Sequence, residues 1–270
     1  MERKTVIGKD GLLHCAFCGY PIERVIEFPL LDGSGKKVKR KVGCVCRCEL
    51  DERKKIEQRM AFEEEQRRIN QLRQLSLMDT KLRKVRFKNY QVTEENHRVF
   101  SLARKYVEHF REMCDKNQGL LFWGDVGTGK SYTAAAIANE LIDQQIPVVM
   151  TSFIKLLKEC VGINDESKSY IDTLNQAKLM VIDDLGAERS TDYALENVYD
   201  IIDSRYRSGK PVILTTNLDL GEMKRCGDIR YNRIYDRIFE MCYPVRFAGM
   251  SWRKREAATR FTDTRTILEG

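Results

Sequence analysis

The residues whose types and spacing most clearly indicate a chemical function are Gly124 to Ser131, which have the sequence GDVGTGKS. Their spacing matches the P-loop pattern G-x-x-x-x-G-K-[ST], in which backbone N–H groups wrap the phosphates of a nucleotide. Glycine is needed because only a residue without Cβ lets the backbone approach so closely or take positive φ. We expect Lys130 to contact the outer phosphates and the Ser131 hydroxyl to ligate Mg²⁺. The sequence therefore predicts a nucleoside triphosphate site formed by Gly124, Asp125, Val126, Gly127, Thr128, Gly129, Lys130, Ser131 and Tyr132.

A pair of acidic residues, Asp183 and Asp184, supplies the chemistry that the P-loop lacks. They follow the apolar run Leu179–Ile182, which is typical of a buried strand in a parallel sheet. We expect Asp183 to hold the Mg²⁺ shell, through water, and Asp184 to orient the attacking water or accept its proton. Asn217 follows another apolar strand and lies either near the γ-phosphate or in a strand-end turn, while Glu188 is either an accessory acid or a surface residue. These residues together predict ATP hydrolysis.

Five of the nine cysteines lie before position 49. Cys15 and Cys18 form a C-x-x-C pair, and Cys46 and Cys48 form a C-x-C pair. Two such pairs can converge into a tetrahedral thiolate site, which suits Zn²⁺. The identity of the second pair is undecided, because Cys44 with Cys46 or Cys44 with Cys48 also fits. A segment this small has little core of its own, so we expect zinc to supply its stability.

The segments around the nucleotide site predict an α/β fold with a parallel sheet flanked by helices, because apolar strands alternate with helical patterns. A strand at 120–123 precedes the P-loop and a helix follows it. Further strands are expected at 148–152, at 179–182 and in VILTTN after Pro211.

The part of the chain before this fold predicts two other pieces. The cysteine segment contains two short strands around the turn Asp32-Gly33-Ser34-Gly35. Residues 49–78 lack Pro and Gly and predict a charged, mostly exposed helix with a thin apolar stripe of Ile56, Met60, Ile69 and Leu72. The expected domains are a zinc-binding module at 1–48, a charged helical linker at 49–86 and an ATPase domain at 87–270.

Composition limits the partners and the compartment. The formal net charge of +7 favours an anionic partner such as nucleic acid, although it also promotes solubility. The basic segment KLRKVRFKNY at 81–90 is either a nucleic-acid contact or a solvated surface. No apolar run approaches the roughly 20 residues of a membrane span, and the N-terminus lacks a signal-peptide core. We therefore expect a cytoplasmic protein without a membrane partner.

Residues 87–253 resemble the DnaC/DnaI-type helicase loaders, within the AAA+ ATPases that also include IstB. The matching pieces are FKNYQV, ARKYVEHF, GDVGTGKS, AIANEL, VIDDLGAE, VILTTNL, RIYDRI and MSWR. The resemblance implies an AAA+ P-loop core that binds ATP at subunit borders. The cysteine module is similar to the zinc-binding N-terminal region of DnaI-type and phage loaders and differs from DnaC.

The resemblance also gives roles to residues that would otherwise be interpreted as surface charge. It makes Asn217 the sensor I residue and Arg253 in MSWR the sensor II arginine. Arg237 in YDRI matches the arginine finger that reaches a neighbouring subunit, and Arg233 is a rival for that role. Asp184 departs from the glutamate frequent at its position in DnaC.

The partners implied by the resemblance are a hexameric replicative DNA helicase, single-stranded DNA and, in the ATP state, further copies of this chain. It places the helix 152–160 against single-stranded DNA, with Phe153 for stacking and Lys155 and Lys158 for phosphates. The alternative for this helix is that Phe153 is a core residue and the lysines are merely exposed. The alternatives are an IstB-like ATPase that assists a transposase, and a zinc-containing DNA-binding protein with a vestigial ATPase.

Overall fold

The computed structural model describes residues 4–30, 35–76, 79–159, 165–187 and 191–269. The chain divides into two compact units, Met1–Arg67 and Arg68–Gly270. This boundary falls inside one long helix, and the three-part division at positions 48 and 86 stays a prediction. Among the described residues, none of the helices combines the length and apolarity that crossing a membrane requires.

The first unit contains two antiparallel strand pairs. β1 (Thr5–Ile7) pairs with β2 (Leu13–Cys15), and β3 (Glu23–Pro29) pairs with β4 (Lys37–Gly43). The predicted hairpin is therefore confirmed, although its turn at 31–34 lies outside the described residues. Among the residues described in this unit, the only buried side chains are Cys15 and Cys46. The unit thus has almost no apolar core, as expected of a segment stabilised by a metal.

Helix α1 (Arg47–Leu75) has the predicted charged character. The two halves of its apolar stripe differ. Ile56 and Met60 are exposed, whereas Ile69 and Leu72 are buried within the second unit. The stripe is therefore a packing surface only near the C-terminal end of the helix.

The second unit is built on a five-stranded parallel sheet with the order β6-β7-β8-β5-β9, which confirms the predicted fold class. The strands are β5 (Gly119–Gly124), β6 (Val148–Ser152), β7 (Leu179–Leu185), β8 (Val212–Thr216) and β9 (Cys242–Phe247). Both faces of the sheet are covered, so its strands are almost continuously apolar. Successive side chains point to opposite faces, and Met180 and Ile182 accordingly join one core cluster while Leu179 and Val181 join the other.

The helices of the second unit cover the two faces. They are α2 (His97–Glu108), α3 (Phe110–Asp115), α4 (Lys130–Asp143), α5 (Phe153–Glu159), α6 (Asp165–Leu174), α7 (Asp192–Arg207), α8 (Leu220–Lys224), α9 (Ile229–Met241) and α10 (Trp252–Glu269). Residues of α2, α3 and α4 contribute to one core cluster, and residues of α5, α6, α7 and α9 contribute to the other. Two 3₁₀ turns, Leu82–Lys84 and Phe87–Asn89, precede α2.

The amino-terminal edge of the sheet is held by a fully buried arginine, Arg205 of α7. Its Nη1 donates to the carbonyl oxygen of Ala177 at 3.1 Å and its Nη2 to that of Lys178 at 3.2 Å, both just before β7. Nε and Nη2 also donate to the carbonyl oxygen of Pro211, just before β8, at 3.3 and 2.7 Å. One side chain thus ties the starts of β7 and β8 together. The opposite ends of these strands carry the predicted site residues.

Candidate nucleotide site and cysteine cluster

The P-loop connects the end of β5 to the start of α4, as the sequence predicts. Gly124 and Gly127 have φ values of 126° and 82°, which side chains rarely tolerate. A Cβ at Gly124 would also collide with the carbonyl oxygen of Phe247, and one at Gly127 would collide with Ser251. The loop conformation therefore requires glycine for both its backbone angles and its close neighbours.

Lys130 is buried within this loop. Its Nζ donates to the carbonyl oxygens of Gly124 and Asp125, both at 2.7 Å. Burial lowers the pKa of Lys130, and the negative charges of Asp184, Asp125 and Asp183 oppose that shift. The ammonium group is therefore held at the loop by carbonyl groups and faces two acidic residues from β7.

The acidic pair is fixed by Thr215 of the neighbouring strand β8. The Thr215 hydroxyl donates to Oδ1 of Asp183 at 2.5 Å and accepts the backbone N–H of Asp184 at 3.0 Å. Burial raises the pKa of Asp183, while hydrogen bonds from Thr215 and Ser131 lower it in part. The structure therefore brings Ser131 and Asp183, the two predicted magnesium ligands, into contact.

A cavity of about 710 Å³ opens beside this loop, a volume in the usual range for small-molecule sites. Asp184 lines it and takes a left-handed backbone conformation (φ 58°). Asn217 and Arg253 also line the cavity. The predicted loop residues at its wall are Val126, Gly127, Gly129, Lys130, Ser131 and Tyr132. Asp125 and Thr128 lie in the same loop, where the Thr128 hydroxyl donates to the Asp125 carbonyl oxygen at 2.8 Å. Glu188 lies outside the described residues.

The far wall of the cavity is formed by a segment that sequence analysis assigned differently. Lys81, Val85, Asn89 and Tyr90 of the basic segment 81–90 line the cavity. The segment packs on α4, where Nδ2 of Asn139 donates to two of its carbonyl groups at 2.8 Å. It was expected to be a nucleic-acid contact or a solvated surface, and the structure gives it a third role. In the sequence, the apolar Val85 and the aromatic residues Phe87 and Tyr90 indicate that this segment packs against other parts of the chain. In the structure Val85 is buried, and the rings of Phe87 and Tyr90 lie near each other.

Two tyrosine rings contribute to the wall of the cavity. The rings of Tyr90 and Tyr132 have centroids 5.4 Å apart, and the Tyr90 hydroxyl hydrogen-bonds the Thr133 hydroxyl at 2.7 Å. Flat apolar rings beside polar groups suit a purine base. The cavity thus offers a phosphate end at Lys130 and a base end at the two tyrosines.

Helix α10 closes the cavity from a third side. The backbone N–H of Trp252 donates to the carbonyl oxygen of Gly127 at 2.9 Å, which fixes the start of the helix on the P-loop. Arg253 and Arg260 lie seven residues apart, hence on one helical face, and both line the cavity. Sequence analysis missed Arg260 because a basic residue in a polar helix is usually solvated.

The two candidate finger arginines lie on α9 and do not line this cavity. Nε of Arg237 donates to Oδ1 of Asp203 at 2.7 Å, and its Nη2 donates to the Tyr199 hydroxyl at 3.0 Å. The guanidinium also lies 4.9 Å from the centre of the Tyr199 ring. Arg233 is exposed, and its guanidinium has no ion-pair partner within the described parts of the chain. The choice between them as a finger stays open.

The prediction that the aromatic residue of α5, Phe153, stacks on DNA is wrong. Phe153 is fully buried in the core, because it follows the end of β6 directly and points under the helix. Lys158 is exposed, and Lys155 lies 3.9 Å from a carboxylate oxygen of Asp79. Cys160, the predicted end of this helix, lies outside the described residues. The helix therefore offers lysines without a stacking residue at Phe153.

In the first unit, the sulfur atoms of Cys15, Cys18, Cys46 and Cys48 all lie within 4.8 Å of one another. The Cys15–Cys48 and Cys46–Cys48 sulfur distances are 3.5 and 3.1 Å. A tetrahedral zinc–thiolate site with bonds of about 2.3 Å requires sulfur separations of about 3.8 Å, so these residues fit zinc. Cys44 instead directs its thiol to the carbonyl oxygen of Pro21 at 3.2 Å, outside the group.

The environment of one of these thiols favours its ionised form. Hydrogen bonds from the backbone N–H groups of Cys48 and Tyr20 lower the pKa of Cys18 to about 6. Thiolates are the form in which cysteine binds metals. Hydrogen bonds from the neighbouring thiols, that of Cys46 first, raise the pKa of Cys48 instead. The spacing of the four sulfur atoms is therefore the main feature that fits a metal.

The family described as "IstB-like ATP binding protein" matches residues 53–259, more than half of the chain. The chain is 27% identical to the phage-like element PBSX protein XkdC of Bacillus subtilis, over 66% of this chain and 69% of that protein. It is 30% identical to the replicative helicase loader DnaC of Escherichia coli K12, over 56% of this chain and 62% of that protein. The match thus covers less than two thirds of DnaC.

Solved structures show the same fold. DnaI superposes with a TM-score of 0.55 at 23% identity, over 64% of this chain and 96% of that chain. The DnaC helicase loader superposes equally well, with a TM-score of 0.55 at 23% identity over 63% of this chain and 100% of that chain. AMPPCP-bound DnaA from Aquifex aeolicus gives 0.53 at 18% identity, over 70% of this chain and 57% of that chain. With its P-loop and parallel sheet, the chain therefore belongs to the IstB-like ATP-binding family and is a P-loop ATPase.

Proposed function

We propose that this chain is an ATP-dependent helicase loader, which binds a replicative DNA helicase and delivers it to single-stranded DNA. The observation that carries the proposal is the cavity in which Lys130, Asp184, Asn217 and Arg253 meet. The 30% identity with the helicase loader DnaC supports the choice of helicase as partner.

ATP is the substrate in this proposal. Backbone N–H groups of the P-loop and Lys130 bind the phosphates, and Asn217, which lines the same cavity, contacts the γ-phosphate in this proposal. Asp184 orients a water molecule and accepts its proton while the water oxygen bonds to the γ-phosphorus. The bond from the γ-phosphorus to the ADP oxygen breaks, which yields ADP and inorganic phosphate.

Magnesium fits the same place. Ser131 and Asp183 are in contact, and both offer oxygen atoms, the ligands that this ion prefers. When bound, Mg²⁺ neutralises charge on the phosphates. The hydrogen bond from Thr215 holds the Asp183 carboxylate in position for that role.

Arginines from a neighbouring copy complete the site. Arg237 is the finger by resemblance, and its guanidinium is oriented by Asp203 and Tyr199 within its own subunit. Arg233, one turn earlier, is the exposed rival. Either arginine acts only after self-assembly, so turnover rises with protein concentration or on the helicase. Bound ATP thus orders the complex, and hydrolysis releases it.

Cys15, Cys18, Cys46 and Cys48 would hold a zinc ion that stabilises the first unit, and we propose that this unit docks on the helicase. The four sulfur atoms fit a closed structural site, without an open position for substrate. Zinc therefore stabilises the docking surface and takes no part in hydrolysis.

Mass photometry of the chain mixed with the replicative helicase from the same source, with and without ATP, tests this function. We expect a defined ATP-dependent complex that is lost in the double variant Cys15→Ser/Cys18→Ser. Lys130→Ala should abolish turnover while leaving zinc bound, and surviving hydrolysis would refute the site assignment. The absence of a complex under every nucleotide condition refutes the loader function. The family description then favours an IstB-like helper, and a transposase becomes the partner to test.

A further inference from the structure

The β3–β4 hairpin has one face that carries no acidic residue among its described positions. The register places Arg24 opposite Val42, Ile26 opposite Arg40 and Phe28 opposite Val38. Directly paired residues of an antiparallel sheet share a face, so these six side chains form one surface, which we call the arginine face. It alternates basic and apolar groups along both strands.

On the opposite face of the hairpin, positive charges are partly balanced by neighbouring groups. Lys39 and Glu27 are paired across the strands there, with Nζ 3.1 Å from the carboxylate oxygen. Lys41, on the same side, donates to the carbonyl oxygen of Gly11 at 2.8 Å. Two of the three lysines on this face are therefore engaged in contacts within the first unit, while the third, Lys37, is exposed.

The arginine face is open. Arg24 and Arg40 are exposed, and within the described residues neither guanidinium has an ion-pair partner. The Phe28 side chain is 47% exposed and Val38, directly across from it, is 37% exposed. Two guanidinium groups and an exposed ring on one surface are therefore accessible to a ligand.

We propose that the arginine face binds single-stranded nucleic acid. Arg24 and Arg40 contact phosphates, for which the planar guanidinium is well suited, and Phe28 stacks on a base. An accessible ring selects single strands, because bases in a duplex are stacked on one another. The proposal does not depend on ATP hydrolysis, and it gives the chain the stacking residue that α5 lacks at Phe153.

Charge complementarity favours nucleic acid over a protein surface. The arginine face has two positive charges and no described carboxylate, whereas the other face carries Glu23 and Glu27, of which Glu27 is paired with Lys39. A strand of nucleic acid supplies a regular row of negative charges with flat rings between them. Both chemical features of the face are thereby matched by one ligand.

The test is fluorescence anisotropy of a labelled oligodeoxythymidine with the zinc-loaded full chain, in the absence of nucleotide. Arg40→Gln is compared with Lys39→Gln, since these adjacent residues lose the same charge from opposite faces of β4. We expect Phe28→Ala and Arg40→Gln each to weaken binding about tenfold and Lys39→Gln to weaken it less than about twofold. Arg40→Gln should also reduce the slope of log K against log salt by about 0.7, while Phe28→Ala leaves it unchanged.

Several results would overturn the proposal. They are the absence of binding by the parent chain, equal losses for Arg40→Gln and Lys39→Gln, and equal affinity for a duplex of the same length. Unchanged oligonucleotide affinity of Phe28→Ala and Arg40→Gln, together with loss of the helicase complex, would make this face a protein-docking surface. Zinc content of each variant verifies that the first unit remains folded. Failure here leaves the nucleotide-dependent helicase complex intact, so the two proposals are separable.

Discussion

Replacing Arg205 by lysine tests how the ends of β7 and β8 are held together. Arg205 uses three nitrogen atoms to reach the carbonyl oxygens of Ala177, Lys178 and Pro211. Lysine keeps the positive charge, but its three N–H donors diverge from a single nitrogen atom and do not reproduce the planar fork of the guanidinium. We therefore expect at least one of the three carbonyl groups to lose its hydrogen bond from the side chain.

The expected cost follows from those contacts. A hydrogen bond to a charged group contributes about 1.5–3 kcal/mol, and an unsatisfied buried group costs about 1–3 kcal/mol. Burial already lowers the pKa of Arg205 to about 9, so the charge is costly unless its hydrogen bonds are complete. We expect Arg205→Lys to lower the free energy of unfolding of the second unit by about 3 kcal/mol.

Urea unfolding followed by tryptophan fluorescence measures this cost, because Trp123 and Trp252 both lie in the second unit. The matched control is Arg207→Lys, whose side chain is 75% exposed in an ion pair with Asp203. That control should change the free energy of unfolding by less than about 0.5 kcal/mol. A loss below about 1 kcal/mol for Arg205→Lys would refute the reasoning. The nucleotide affinity of the folded Arg205→Lys variant should be unchanged, since Arg205 lies at the edge of the sheet opposite the nucleotide site.

Three further predictions concern the sites themselves. Asp183→Asn should abolish hydrolysis yet raise Tm at pH 8. Burial raises the pKa of Asp183, so the ionised carboxylate destabilises the folded chain at a pH above that raised pKa. The gain in Tm from Asp183→Asn should therefore shrink as the pH falls toward 3.8, the ordinary pKa of aspartate. A gain in Tm that grows on acidification would contradict this reasoning. Cys48→Ser should remove bound zinc and Cys44→Ser should retain it, as measured by metal analysis, and equal losses would overturn the ligand assignment. Asp203→Asn should reduce turnover of the assembled protein more than about tenfold with unchanged ATP affinity, because it releases Arg237; lost ATP affinity would instead indicate a folding defect.

The features that sequence predicts well here are local. The P-loop strand, loop and helix follow one another directly, and the acidic pair ends the strand that its apolar run predicts. Glycine spacing and strand periodicity specify such elements without reference to the rest of the chain. The spacing of five cysteines could not choose four ligands, because only the folded hairpin turns Cys44 toward Pro21.

The features that sequence missed depend on contacts between distant segments. The wall at 81–90 is defined by Asn139, which lies more than fifty residues later and binds its carbonyl groups. Arg260 joins the cavity only because the start of α10 is fixed on Gly127. Phe153 had equal claims as a core residue or a stacking residue, and its position directly after β6 decided for the core. Neither the amino-acid composition nor the periodicity of apolar residues indicates which distant segments come into contact.

The central strand β8 links the parts of the nucleotide site. In the sheet order it lies between β7, which carries the acidic pair, and β5, which leads into the P-loop. Thr215 fixes both acidic residues through one hydroxyl, and Thr216 is paired with Trp123 of β5. Asn217 follows at once and faces the cavity. Under the proposed mechanism, contact of Asn217 with the γ-phosphate would act within two residues of Thr215, the group that orients the acidic pair. The strand that holds the catalytic geometry would then also respond to the loss of that phosphate, which is the coupling that the proposed loader function requires.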